Sequence, residues 1–141
     1  MIDRDVVAAK LVELDKRVHR VAAVRKANAL LYQDDEAATE LTAFNLMLAV
    51  QCAIDLGAHL IADRDWSPAV SSAEVFDRLA EHGVIPKELS RPLRDAVGFR
   101  NTVAHGYVQL RTDLLHQAAT RGLDDLIAFS QHFASWVSRQ P

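Results

Sequence analysis

Four side chains suited to phosphate chemistry fall within eight consecutive positions, Arg100-Asn101-Thr102-Val103-Ala104-His105-Gly106-Tyr107. Arginine offers a planar, permanently charged fork that matches the oxygens of a phosphodiester. Histidine, whose ordinary pKa lies near ~6.5, exchanges a proton close to neutral pH. In RNA the neighbouring 2′-hydroxyl is a built-in nucleophile. Scission then needs a base for that hydroxyl, an acid for the departing 5′-oxygen and positive charge on the crowded phosphate. One Arg–His pair is thin for this work. Two pairs meeting across a symmetric dimer supply all three without a metal.

On a helix, Asn101 and His105 share a face, whereas Arg100 is offset from His105 by about 140° and reaches round only by its length. A structural account of the same residues competes. Histidine in the last turn is favoured by the helix dipole, a following glycine is the usual stop, and Arg and Asn can satisfy backbone carbonyls. The other ionisable residues have plainer explanations. Asp55 and His59, and His59 and Asp63, have the spacing of intrahelical ion pairs, and a metal site needs more ligands than these supply. His19, His82, His116 and His132 lie among residues that look exposed and take no role. The single cysteine, Cys52, excludes a disulfide framework and any multi-cysteine zinc site. It reads as a small core residue on an apolar helix. Glycine-rich phosphate loops, nucleophile elbows and HExxH are absent from the sequence.

The elements that must position the cluster all read as helices. Val7, Leu11, Leu14, Val18 and Val21 alternate at spacings of four and three, which predicts a helix from Asp3, its N-cap, to Ala29. The QDDE stretch at 33–36 reads as a turn, and a second helix follows over Asp35–Ala62. That helix is apolar nearly all round, so it is either central or covered by a second subunit. Gly57 allows a close approach there. After a loop at 63–68, Ser71 or Ser72 caps a short helix to His82, with Gly83 just past its end. The motif helix runs from Pro86 through Pro92 to His105 and stops at Gly106. Two last helices, Thr112–Arg121 and Leu123–Arg139, are punctuated by Gly122. The fold expected is all-α, an antiparallel bundle of four to six helices.

With 141 residues the chain suits one domain, taken as residues 1–141, and five glycines and four prolines are too few for a turn-rich β fold. The opening residues lack a signal-peptide pattern, and no run of ~18 uninterrupted apolar residues occurs. A soluble, cytoplasmic protein with no membrane partner is expected. The net charge of -3 argues against a generic nucleic-acid binder. That charge is segregated, however. Residues 10–26 hold six bases against two acids, residues 34–81 ten acids against two bases, and residues 84–111 five bases against two acids. A fold joining the first and third segments would create a local basic surface; solvated faces of mixed sign are the alternative.

The stretch from Arg100 to Tyr107 resembles the Arg-Asn-x-x-x-His-x-Tyr motif of the HepT toxins, a branch of the HEPN superfamily. The likeness extends to the long first helix, to LMLAVQCAIDLGAHLIAD in the second, and to LDDLIAFSQHF near the end. It implies a dimerising bundle whose two Arg-x4-His motifs share a cleft and act as a metal-independent, cofactor-free endoribonuclease. It also implies a toxin encoded beside an MNT-type nucleotidyltransferase antitoxin, with RNA rather than DNA as substrate. Carried over, Arg100 would stabilise the phosphate, His105 would be the acid/base and Asn101 would position one or the other. Tyr107 would be the hydroxyl that the antitoxin AMPylates, and Asp55 would approach Arg100 as an orienting carboxylate. Gly106 departs from the family pattern, where a larger or acidic residue is common. The alternative is a non-catalytic HEPN accessory subunit that binds a partner nucleotidyltransferase.

Overall fold

In the computed structural model, which describes residues 2–106 and 110–141, three helices start where an acidic or hydroxyl side chain is available to cap them. Asp3 accepts from the amides of Asp5 and Val6 and opens α1, Arg4–Val24. Asp35 accepts from Ala38 and opens α2, Glu36–Asp63. Ser71 accepts from Glu74 and opens α3, Ser72–Glu81, which ends at His82 and at Gly83 in the left-handed region. Then follow α4, Lys87–Ala104, α5, Thr112–Gln117, and α6, Leu123–Ser138. The described residues hold six α-helices and no strand, so the fold is the all-α bundle that the periodicity predicts.

α2 is the axis of the bundle. It packs most extensively on α1 and also touches α3, α4 and α6. By length and composition it is apolar enough to cross a membrane, but the surrounding helices cover most of it. Leu46, Ala49, Ala53, Leu56 and Leu60 are buried, meeting Phe76 of α3, Leu93 of α4 and Phe129 and Phe133 of α6 in one core cluster. Gly57 lies under α3: a methyl group there would overlap Val75 Cγ1 and crowd Leu79. Leu41 and Phe44 remain half exposed near the helix's N-terminal end.

Two boundaries differ from the sequence reading. α1 stops at Val24, not Ala29, because Arg25 turns extended and the Lys26 amide donates to the buried Tyr32 hydroxyl at 3.0 Å. Asn28 then caps a single 3₁₀ turn, Ala29–Tyr32. The second difference is at Gly122, which does not break the chain. Helical dihedrals run from α5 into α6 through a widened π-turn, Ala118–Gly122. The carbonyls loosened there find donors: Arg25 Nη1 reaches the Ala119 oxygen at 2.9 Å, and Thr120 Oγ1 bonds the His116 oxygen at 2.8 Å. A small aromatic group closes one edge of the bundle. His82 stacks on Trp66 at 3.8 Å, Trp66 meets Trp136 edge-on, and Arg64 lies over Trp136. His82 is exposed as expected but is held by this stack.

Candidate active site

The motif residues occupy the last turn and C-cap of α4. Leu93, Val97 and Arg100 recur at intervals of four and three, so Arg100 continues the buried stripe of the helix rather than its outer face. Its side chain is half-buried, and the Nε–H is buried with no partner among the described residues. The terminal guanidinium nitrogens have no hydrogen-bond or ion-pair partner among the described residues. Arg64 Nε is likewise buried without a hydrogen bond, but each of the other half-buried arginines has a partner elsewhere on its guanidinium. Arg17 bonds Glu13 and Asn45, Arg64 bonds Gln140 and covers Trp136, and Arg78 is held by Glu74 and Glu81. A charged, partly desolvated fork with no counter-ion is costly in a purely structural role.

His105 is the C-cap of α4, exposed, with its amide bonded to the Asn101 carbonyl at 3.0 Å. Gly106 follows with φ 87°, a conformation that removes the chain from the helix and suits glycine. Asn101 is exposed on the same flank as His105. The structure therefore brings Arg100, Asn101 and His105 to one helix end, with the imidazole in solvent and the guanidinium rooted in the core edge. Tyr107 lies outside the described residues.

Asp55 does not join this group. Its two carboxylate oxygens accept from Lys10 at 3.1 Å and from Gln51 at 2.9 Å, on the seam between α1 and α2. The hydrogen bond that Lys10 donates to Asp55 raises the Lys10 pKa above its ordinary value. The expected Asp55–His59 pair is not formed, and His59 Nε2 is buried without a hydrogen-bond partner among the described residues. Burial pushes the Cys52 thiol up, as suits a core residue. Among the described residues, no three His, Cys, Asp or Glu side chains come together as a metal cluster.

A surface feature escaped the sequence reading. Lys87, Arg91, Arg94, Gly98, Asn101 and His105 are all exposed and spaced alternately by four and three along α4. Read only as a net charge over 84–111, this alignment is invisible; the helical period reveals it.

Comparison with known proteins agrees with this architecture. A family described as ribonuclease HepT-like matches residues 15–133. The mRNA nuclease HepT of Shewanella oneidensis is 24% identical over 125 residues, 89% of this chain and 93% of that protein. A tri-AMPylated Shewanella oneidensis HEPN toxin, solved in complex with an MNT antitoxin, superposes with a TM-score of 0.84 at 23% identity, covering 96% of this chain and 99% of that one. YutE of Bacillus subtilis, a cytosolic protein of unknown function, gives 0.82 at 17% identity, over 97% and 92% of the two chains. At these identities the superpositions establish a shared fold. With the matched stretch running from midway along α1 to Phe133 and taking in Arg100, Asn101 and His105, the chain belongs to the ribonuclease HepT-like family.

Proposed function

We propose that this chain is the toxin of a toxin–antitoxin pair and a metal-independent endoribonuclease. The observation that carries this reading is the Arg100 guanidinium, half-buried yet without a partner among the described residues, held five residues before an exposed His105. In the reaction, a base takes the proton of the RNA 2′-hydroxyl, and the 2′-oxygen attacks the adjacent phosphorus. The 5′-oxygen leaves with a proton from an acid, giving a 2′,3′-cyclic phosphate and a 5′-hydroxyl end. His105 serves as acid or base, Arg100 neutralises the charge that builds on the phosphate, and Asn101 positions one or the other. A homodimer supplies the second Arg100–His105 pair, so that base and acid act together. The half-exposed Leu41 and Phe44 provide apolar surface for association.

The toxin–antitoxin complex among the structural neighbours supports a nucleotidyltransferase antitoxin of the MNT type as the neutralising partner, and the motif resemblance makes Tyr107 the hydroxyl that would take AMP. Such a modification would place a bulky anion next to the motif in sequence and oppose RNA by charge and size. The decisive experiment is cleavage of RNA by purified protein in EDTA. Wild type should leave cyclic phosphate ends, and His105→Ala should lose about 10²–10⁴-fold in rate with an unchanged melting temperature. Equal cleavage by both proteins overturns the assignment. Intact RNA with wild type, together with tight binding of a nucleotidyltransferase, identifies the accessory subunit instead.

A further inference from the structure

We infer that the outer flank of α4 is a track for the sugar–phosphate backbone of single-stranded RNA, running from Lys87 to the motif. The inference rests on the ribonuclease reading and extends it from the reacting phosphate to the strand on either side. Lys87, Arg91 and Arg94 align with Gly98, Asn101 and His105 in one exposed stripe, while the acids of the helix, Glu88 and Asp95, fall together on the neighbouring flank. Eighteen residues of helical rise make the stripe about 27 Å long, the reach of several nucleotides. Gly98 lies near its middle, and nothing stands within 4 Å of where a side chain would begin, so a strand can lie close to the helix there.

Elsewhere many basic side chains are committed, although Lys16 and Arg20 of α1 and Arg121, like Lys87 and Arg91, have no ion-pair partner among the described residues. In α1, Lys10 pairs with Asp55 and Arg17 with Glu13; just beyond it, Lys26 pairs with Asp35 and Arg25 bonds the Ala119 carbonyl. α1 packs on α2 and α6, whereas α3 and α2 are the main neighbours of α4, so the two basic segments do not merge through helix packing. On α4, Arg94 is bonded to Asp77, which also accepts from Ser90. Lys87 and Arg91 have no ion-pair partner among the described residues and flank a shallow hollow of about 530 Å³ between α3 and α4. Between Lys87 and Asn101 the stripe carries no Phe, Tyr, Trp or His, so over that length it reads backbone charge rather than base identity.

The test measures affinity for 2′-O-methyl oligouridylates of two to twelve nucleotides, which lack the attacking hydroxyl. Wild type should bind tighter with each added nucleotide over the length of the stripe and lose that gain in high salt. Lys87→Gln/Arg91→Gln should flatten the length dependence, at least 10-fold weaker on the twelve-mer. It should also reduce the log–log salt slope by about 0.7 for each phosphate that the removed charges no longer neutralise. Lys87→Arg/Arg91→Lys, which keeps both charges, should restore it. Parallel length curves for wild type and the charge-free variant overturn the track, even if RNA is cut. So does a variant that keeps RNA affinity but loses a protein partner, which would give the stripe to an acidic polypeptide. Length-dependent binding without any cleavage of ordinary RNA sustains the track and removes the ribonuclease reading.

Discussion

Arg100→Met should make the protein more stable while disabling it. Arg100 lies on the stripe of Leu93 and Val97, half-buried, with its Nε–H buried and without a partner among the described residues. A buried donor without a partner costs roughly 1–3 kcal/mol, and because the side chain is only half-buried the low limit applies, about 1 kcal/mol. Methionine keeps an unbranched stem of similar reach without the stranded donor. For a chain of this size, about 1 kcal/mol raises Tm by roughly 2–4 °C. Cleavage should fall by about 10²–10³, the loss seen when one preorganised charge-stabilising donor is removed. Parallel thermal melts and cleavage assays measure both effects. A Tm lowered by a similar amount would refute the reasoning, since it would mean that the folded protein gives the guanidinium a structural partner.

Gly57→Ala should destabilise by about 1–2 kcal/mol, because overlap with Val75 outweighs the better helix propensity of alanine. Adding Val75→Ala should recover part of that loss, and a double-mutant cycle with no coupling would contradict the packing described. Tyr32→Phe should cost about 1–2 kcal/mol in urea denaturation by stranding the Lys26 amide, and an unchanged midpoint would show that this bond does not hold the end of α1. Burial, reinforced by Asp124, raises the Asp125 pKa above its ordinary value. An acid raised in the folded state destabilises once pH climbs through the ordinary carboxylate range. Asp125→Asn should therefore raise Tm modestly at pH 7 and by nothing at about pH 3; an equal change at both refutes that account.

What was legible in the sequence were local signals. Asp3, Asp35 and Ser71 carry their own capping chemistry, and Gly106 its own stop, so these ends fall where the residue types put them. The end of α1 was not legible, because it depends on a hydroxyl six residues away entering the core, which no propensity reports. Gly122 misled for the opposite reason: glycine permits a break but does not require one, and between the buried Ala119 and Leu123 it keeps helical dihedrals. At the site, Arg100, Asn101 and His105 are a sequence-local group and survive folding as one. Asp55 and Arg100 are 45 positions apart, and only tertiary structure could say that Lys10 reaches Asp55 first.

The widened turn at Ala118–Gly122 means that the chain carries one residue more than the packing of its C-terminal third requires. Leu115 and Leu123, both buried, are eight positions apart, which on an uninterrupted α-helix would splay them by about 80°; seven positions would bring them to within about 20°. Removing a single residue from that stretch would straighten α5 and α6 into one unbroken rod with both leucines still facing inward. This bundle should tolerate such a shortening there, where elsewhere along its helices the loss of one residue would turn the core to water.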